Sequence, residues 1–272
     1  MVMNPLSLHQ LTVLDASPLE LIDIAAQTGC EQVCVFVHSS APQLKFPVVE
    51  ESDVEDVRAR LRSAGVEVYN LEFFPIGPEV DFDAYDRALR VGAAIGGRRA
   101  TVHIHDPDDE HALCMFDRFC RLAAEHGLQV GLEFTAFARI STLEAAVAFI
   151  ERAKQPTAAV AVDVLHLMRN GADPDKLARI DPRLIGYMQI CDGPLSIAPD
   201  AMLDEAVGER GVPGEGEFPL RAFLGCAPPG VTIDVEVPQR TALLAGVSAL
   251  DRAKRAVTAT RALVTTISEN VQ

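Results

Sequence analysis

The stretch LQVGLEFTAFARISTLEAAVAFIERAKQPTAAVAVDVLH, residues 128–166, decides the fold. Its two ends, LQVGLEF (128–134) and AAVAVDVLH (158–166), are short and almost continuously apolar, the pattern of strands covered on both faces. Between them STLEAAVAFIERAK (141–154) repeats apolar residues at helical spacing and opens on Ser141 and Thr142, side chains that cap helices. Strand, helix, strand is a βαβ unit, and its crossover makes the two strands parallel.

The unit recurs outward in both directions. Further strand-like runs are SLHQLT (7–12), VCVFVH (33–38), VEVYNLEFF (66–74), ATVHIH (100–105), IGYMQICD (185–192) and VTIDVEV (231–237), which brings the total to eight. Amphipathic stretches separate them: SPLELIDIAAQTG (17–29), EESDVEDVRARLRSAG (50–65), DFDAYDRALRVGAAIG (81–96) and DEHALCMFDRFCRLAAEHG (109–127), each closing on the glycine that favours a helix C-terminus. Eight alternations at this length predict an α/β fold, a single (β/α)8 TIM barrel over residues 1–272. An open doubly wound sheet is the alternative, and its dinucleotide-binding version is weakened because no G-x-G-x-x-G follows the first strand. The longest irregular stretch, about residues 193–230, follows the seventh strand and is a candidate substrate cover.

Composition narrows the function classes. A formal charge of −15 disfavours capture of nucleic acid or an acidic membrane, and 49% hydrophobic residues supply a large core. The opening MVMNPLSLHQLTVLD lacks a basic segment followed by an apolar run, and no stretch offers the roughly 18 apolar residues of a membrane span, so a cytoplasmic protein is expected. Cys30, Cys34, Cys114, Cys120, Cys191 and Cys226 form no C-x-x-C pair and read as reduced packing residues. The lysines Lys45, Lys154, Lys176 and Lys254 fall in apparent loops or helices, which argues against a Schiff-base aldolase.

Four polar side chains interrupt apolar strands near their carboxyl ends: Glu133, Asp163, Gln189 and Glu236. A barrel would bring them together at its upper rim, where three uncompensated carboxylates would be costly. An all-oxygen set of this kind suits one divalent cation, Mn²⁺, Mg²⁺ or Co²⁺, better than structural zinc. Glu72, His38, His103 and His105 also sit near strand ends, and Glu72 and His105 are expected at the substrate; His9 is similar. Arg210 is a candidate clamp for a substrate carboxylate or phosphate because guanidinium offers paired donors, with Arg139 and Asp192 as weaker candidates.

Glu133, Asp163 with His166 three residues on, Gln189 and Glu236, together with QICDGPL and RGVPGEGEFPL, resemble the metal-binding pattern of the sugar phosphate isomerase/epimerase family of xylose isomerase-like barrels. Many epimerases of that family have His where this chain has Gln189, whereas hydroxypyruvate isomerases and bacterial 3-dehydroshikimate dehydratases have Gln. The resemblance implies a metal that chelates a substrate carbonyl and neighbouring hydroxyl. It further implies Glu133 and Glu236 as the acid–base pair and His166 as donor to a substrate oxygen. The expected activity is isomerisation or epimerisation of a small polyhydroxy carbonyl compound, with a dehydratase (lyase) reaction as the alternative. Abasic-site endonucleases share the barrel in a histidine-rich, multi-zinc form that the acidic charge disfavours, and a non-catalytic binding protein is the remaining class. The expected partner is a small-molecule substrate, not nucleic acid or membrane, and a homo-oligomer is compatible with this reading.

Overall fold

The computed structural model describes residues 4–39 and 46–270, with side chains to residue 266; Lys45 lies outside the described residues. The strands are β1 (Leu6–His9), β2 (Gln32–Phe36), β3 (Glu67–Ile76), β4 (Arg99–Ile104), β5 (Gln129–Glu133), β6 (Ala158–Asp163), β7 (Ile185–Ile190) and β8 (Ile233–Val235). They pair in chain order, and β8 returns to β1, closing the expected parallel barrel. Outside it lie α1 (Pro18–Thr28), α2 (Val54–Ala64), α3 (Phe82–Ala94), α4 (Asp109–Glu125) and α5 (Leu143–Ala153). Shorter helices follow: α6 (Val164–Arg169), α7 (Pro174–Leu177), α8 (Met202–Gly208), α9 (Leu220–Gly225) and α10 (Arg240–Leu244), before the long α11 (Ala249–Asn270). Among the described residues no helix is long and apolar enough to cross a membrane.

Local chemistry sets the helix limits. Ser17 and Glu20 form a capping box at the start of α1, Pro18 takes the first helical position, and Gly29 ends the helix at φ 75°, where a Cβ would be strained. Thr142 caps α5 by accepting from Ala145 N–H. The buried faces of these helices meet the outward faces of the strands. There Leu8, Val33, Val35, Leu71, Phe74, Val102, Val130, Leu132, Val160, Val162, Met188 and Ile190 are all buried.

The inward faces differ. Ser7, His9, Gln32, Asn70, Glu72, Thr101, Asp234 and Thr232 are buried polar residues, so the apolar core is a shell between strands and helices around a hydrogen-bonded interior. Asn70 Nδ2 donates to Glu72 Oε1 (3.2 Å) and to the Tyr187 hydroxyl (3.1 Å), and Thr101 Oγ1 donates to Asn70 Oδ1 (2.9 Å). At the amino-terminal end Arg99 donates to Val130 O (3.0 Å) and Gln129 Oε1 (2.6 Å). A Cβ on Gly186 would stand 2.6 Å from Arg99 Nη1, so the glycine makes room for the guanidinium.

Three sequence expectations need correction. The first strand stops at His9, and Gln10–Val13 form a 3₁₀ turn, because His9 Nδ1 accepts from Leu11 N–H (3.0 Å) and bends the chain. The sixth strand stops at Asp163, whose Oδ1 accepts from Leu165 N–H (2.8 Å) and starts α6. His166 is therefore helical, not a strand-end residue. The irregular stretch from 193 to 230 contains α8 and α9. In β3, Leu71 and Phe74 pair with Ala100 and Val102, so the strand carries one extra residue, a bulge that re-aims side chains. Phe73 turns towards His103 (ring centroids 5.2 Å) while Phe74 packs outward on Tyr85 and Phe119.

Candidate active site

Glu133 and Asp163 are the last residues of β5 and β6, Gln189 lies one residue before the end of β7, and Glu236 directly follows β8. Their relative exposures are 4%, 0%, 1% and 4%. The barrel thus brings all four to one end of its interior, with Asp163 and Gln189 directly paired across β6 and β7. Gln189 Nε2 donates to Glu236 Oε2 (2.5 Å), while Gln189 Oε1 is buried without a hydrogen-bond partner. His103 Nε2 is 2.8 Å from Glu133 Oε2. His166 Nε2 is 3.8 Å from both Glu133 Oε1 and Asp163 Oδ2, and donor atoms of Glu133, Asp163 and His166 lie within 4.8 Å of one another.

Arg210 is drawn into this cluster. It is 5% exposed, its Nη1 donates to Asp163 Oδ2 and its Nη2 to Glu236 Oε1, both at 2.8 Å, and its Nε donates to Ala206 O at 2.8 Å. The guanidinium offsets part of the repulsion between two buried carboxylates. Burial, reinforced by the Asp163 and Glu72 carboxylates and opposed by Arg210 and His9, holds Glu236 well above the usual carboxylate range. Burial also lowers His166 below the ordinary imidazole value. For His103 burial acts in the same direction, but the carboxylates of Glu133, Glu72 and Asp163 together outweigh it and the ring is raised.

Glu72 is buried beside the cluster, 3.0 Å from His9 Nε2. Since His9 Nδ1 accepts a backbone N–H, the ring proton is assigned to Nε2, which lies close to Glu72 without a well-formed hydrogen bond to it. His9, Cys34 and Asp234 bring their donor atoms within 4.8 Å of one another, yet this tautomer makes His9 a donor there and not a ligand. His105, just past β4, is exposed, and Arg139 lies outside the cluster, paired with Asp109 (3.2 Å). His38 stacks on Phe74 (5.8 Å) in the outer shell. Asp192 accepts from Gly193, Gly214 and Phe218 N–H (2.8, 2.8 and 3.0 Å), which folds the loop after β7 around its carboxylate.

The sequence reading missed Asp234. It is fully buried, neither of its oxygens nor Ser7 Oγ makes a well-formed hydrogen bond, and burial raises it to about 6 from the usual 3.8. A carboxyl raised in the folded state favours folding while protonated. The native state therefore holds the proton longer than the unfolded chain, and stability is lost as pH rises from about 3.8 to about 6. Asp234→Asn removes that dependence. Its stability relative to the parent should rise by up to about 3 kcal/mol across the same interval, measured by denaturation at several pH values. A flat difference would mean that Asp234 is not raised.

A family model described as xylose isomerase-like TIM barrel matches residues 22–262, and the chain belongs to that family. Over 103 residues, 38% of the chain, it is 34% identical to a 3-dehydroshikimate dehydratase of Pseudomonas aeruginosa, and the match spans only 16% of that protein's length. Among solved structures it resembles an IolI protein with a bound zinc atom (TM-score 0.77, 16% identity, 97% of this chain and 99% of that one). It also resembles a D-allulose 3-epimerase from Methylomonas sp. (TM-score 0.70, 15% identity, 97% and 99%). At those identities the structural likeness establishes the shared barrel.

Proposed function

We propose that the protein is an isomerase or epimerase of a small polyhydroxy carbonyl compound, dependent on one divalent cation held by Glu133, Asp163, Gln189 and Glu236. The observation that carries this reading is Gln189. Its amide spends Nε2 on Glu236 and leaves Oε1 buried and unpartnered amid carboxylates, an arrangement that an oxygen-seeking cation would satisfy. The zinc atom in the IolI protein is consistent with a cation in this type of barrel. The donor set favours Mn²⁺, Mg²⁺ or Co²⁺, and the closeness of His166 to Glu133 and Asp163 would admit an imidazole as a further neighbour.

When bound, such a cation polarises a chelated carbonyl and acidifies the adjacent C–H. The chain supplies the rest. Glu133, oriented by His103, would accept the proton through a carboxylate oxygen, and Glu236, the other carboxyl group of the pair, would return one. His166, kept neutral by burial, donates to a substrate oxygen. Glu72, held by Asn70 and close to His9, offers a carboxylate for a substrate hydroxyl; His105 contributes at the exposed edge. Phe73, aimed by the bulge, presents an aromatic wall beside His103.

The similarity to the 3-dehydroshikimate dehydratase favours a second reading, in which the same proton abstraction is followed by loss of a β-hydroxyl. Turnover of ketoses, 2-keto acids, inososes and 3-dehydroshikimate with added Mn²⁺ separates the two. Elemental analysis should find one divalent cation per chain in the parent and substantially less in Gln189→Leu, which keeps the volume but removes the amide oxygen. Equal loading of the two proteins would place the cation elsewhere.

A further inference from the structure

Outside the carboxylate cluster, Arg169, the last residue of α6, forms an ion pair with Glu205 of α8. Arg169 Nε donates to Glu205 Oε2 (2.7 Å) and Nη2 to Glu205 Oε1 (2.6 Å), and the two side chains are only 4% and 9% exposed. Nη2 also donates to Pro194 O (2.8 Å), and the guanidinium lies over the Phe218 ring, 5.1 Å from its centroid. A paired, desolvated arginine of this kind is stiffer than a surface ion pair. Its place in the fold matters more than its strength.

The contacts form a closed circuit. Asp163 starts α6 by capping it, His166 lies one turn along, and Arg169 ends it three residues later on the same side of the helix. Arg169 grips Glu205; the next residue, Ala206, accepts from Arg210 Nε through its carbonyl; and Arg210 returns to Asp163 and reaches Glu236. Cutting the circuit at Arg169 frees α8, and with it the carbonyl that holds Arg210 in register with both carboxylates.

We propose that Arg169 is a positioning residue of the active site: through Glu205 and Ala206 it sets Arg210, and through α6 it sets His166 and Asp163. It touches neither substrate nor cation and acts through these neighbours. The inference rests on the cation-dependent reading above as far as Mn²⁺ affinity goes, while the circuit itself can be tested without any cation.

The variants are Arg169→Met, which keeps the stem and removes the donors, Arg169→Lys, which keeps the charge without the two-pronged grip, and Glu205→Gln, which retains one acceptor should Arg169→Met fold poorly. In chelator-stripped protein, amide hydrogen exchange should show Leu165 and the α8 amides losing protection in Arg169→Met. Calorimetric Mn²⁺ binding should weaken by about 10- to 100-fold, the usual consequence of losing a partner behind a ligand, with Arg169→Lys and Glu205→Gln intermediate. In a double-mutant cycle Arg169→Met should add little to Arg210→Met, since both cut one circuit. A pair that only packs the loop would lower the melting temperature, leave Leu165 exchange and Mn²⁺ affinity unaltered, and add in full to Arg210→Met; those results overturn the proposal. If the parent binds no Mn²⁺, the functional reading fails, and the exchange of Leu165 alone decides for or against the circuit.

Discussion

Glu133→Gln and Glu236→Gln are each expected to abolish turnover while leaving the barrel folded. Each replaces a buried carboxylate by an isosteric amide, so the packing of a strand end is retained and the chemistry is not. Glutamine at 133 cannot accept a proton, and its amide faces His103 Nε2 across what was a 2.8 Å contact. Glutamine at 236 keeps one acceptor oxygen for two donors, Arg210 Nη2 and Gln189 Nε2, and loses the raised carboxyl that would return the proton under the proposed function. Because the proposed function gives each residue two duties, holding the cation and moving a proton, the loss in kcat/KM should exceed the roughly 10²- to 10⁴-fold associated with one general acid or base. Circular dichroism and melting temperature report on the fold, and elemental analysis on the cation. Near-normal rates in either variant with unchanged cation content would remove that residue from the chemistry.

The second large effect is expected at Arg210, and in stability. With Arg210→Met, the Asp163 and Glu236 carboxylates keep their burial and lose their common counter-charge. Breaking a buried pair from one side typically costs about 3–5 kcal/mol. Chelator-stripped Arg210→Met should therefore denature at markedly lower urea than the parent, and saturating Mn²⁺ should recover much of the difference by supplying the missing charge. Equal stability of parent and variant without metal would show that the guanidinium is not needed to hold the carboxylates together. Kinetics with Arg210→Ala separate two roles for the same side chain. A clamp for an anionic substrate would raise KM more than it lowers kcat, whereas disorder among the carboxylates would lower kcat.

The eight strands and their parallel order were legible because β-branched apolar runs alternate with capped amphipathic helices, and such runs fit parallel strands buried on both faces. Glu133, Asp163, Gln189 and Glu236 stood out for the same reason: a carboxylate or amide inside an apolar run is an anomaly that needs an explanation. What stayed hidden has physical causes. Asp234 lies two residues before Glu236 in VTIDVEV and so shares its inward face, a signal in the alternation that a search of strand ends passes over. The end of β6 was overrun because VLH is as apolar as the strand before it; the turn comes from a side-chain oxygen of Asp163 and not from a Gly or Pro. Arg169 and Glu205 are 36 positions apart, and charge pairing at that distance leaves no periodic trace. Phe73 is aimed by a one-residue slip between β3 and β4, and neither strand's composition announces it.

The split between an apolar shell outside the strands and a polar interior inside them has a consequence for how such a protein can change. Along each strand, alternate residues meet separate surroundings: outward ones pack in the apolar shell, while inward ones meet the hydrogen bonds and ion pairs of the interior. Under the proposed function, a replacement at an inward site such as Glu72, Gln189 or His103 would bear on the reaction while leaving the apolar shell packed. The shell can thereby stay constant while interior side chains are exchanged, and a lineage of these barrels can drift in function in steps that each remain foldable so long as the buried charges stay paired.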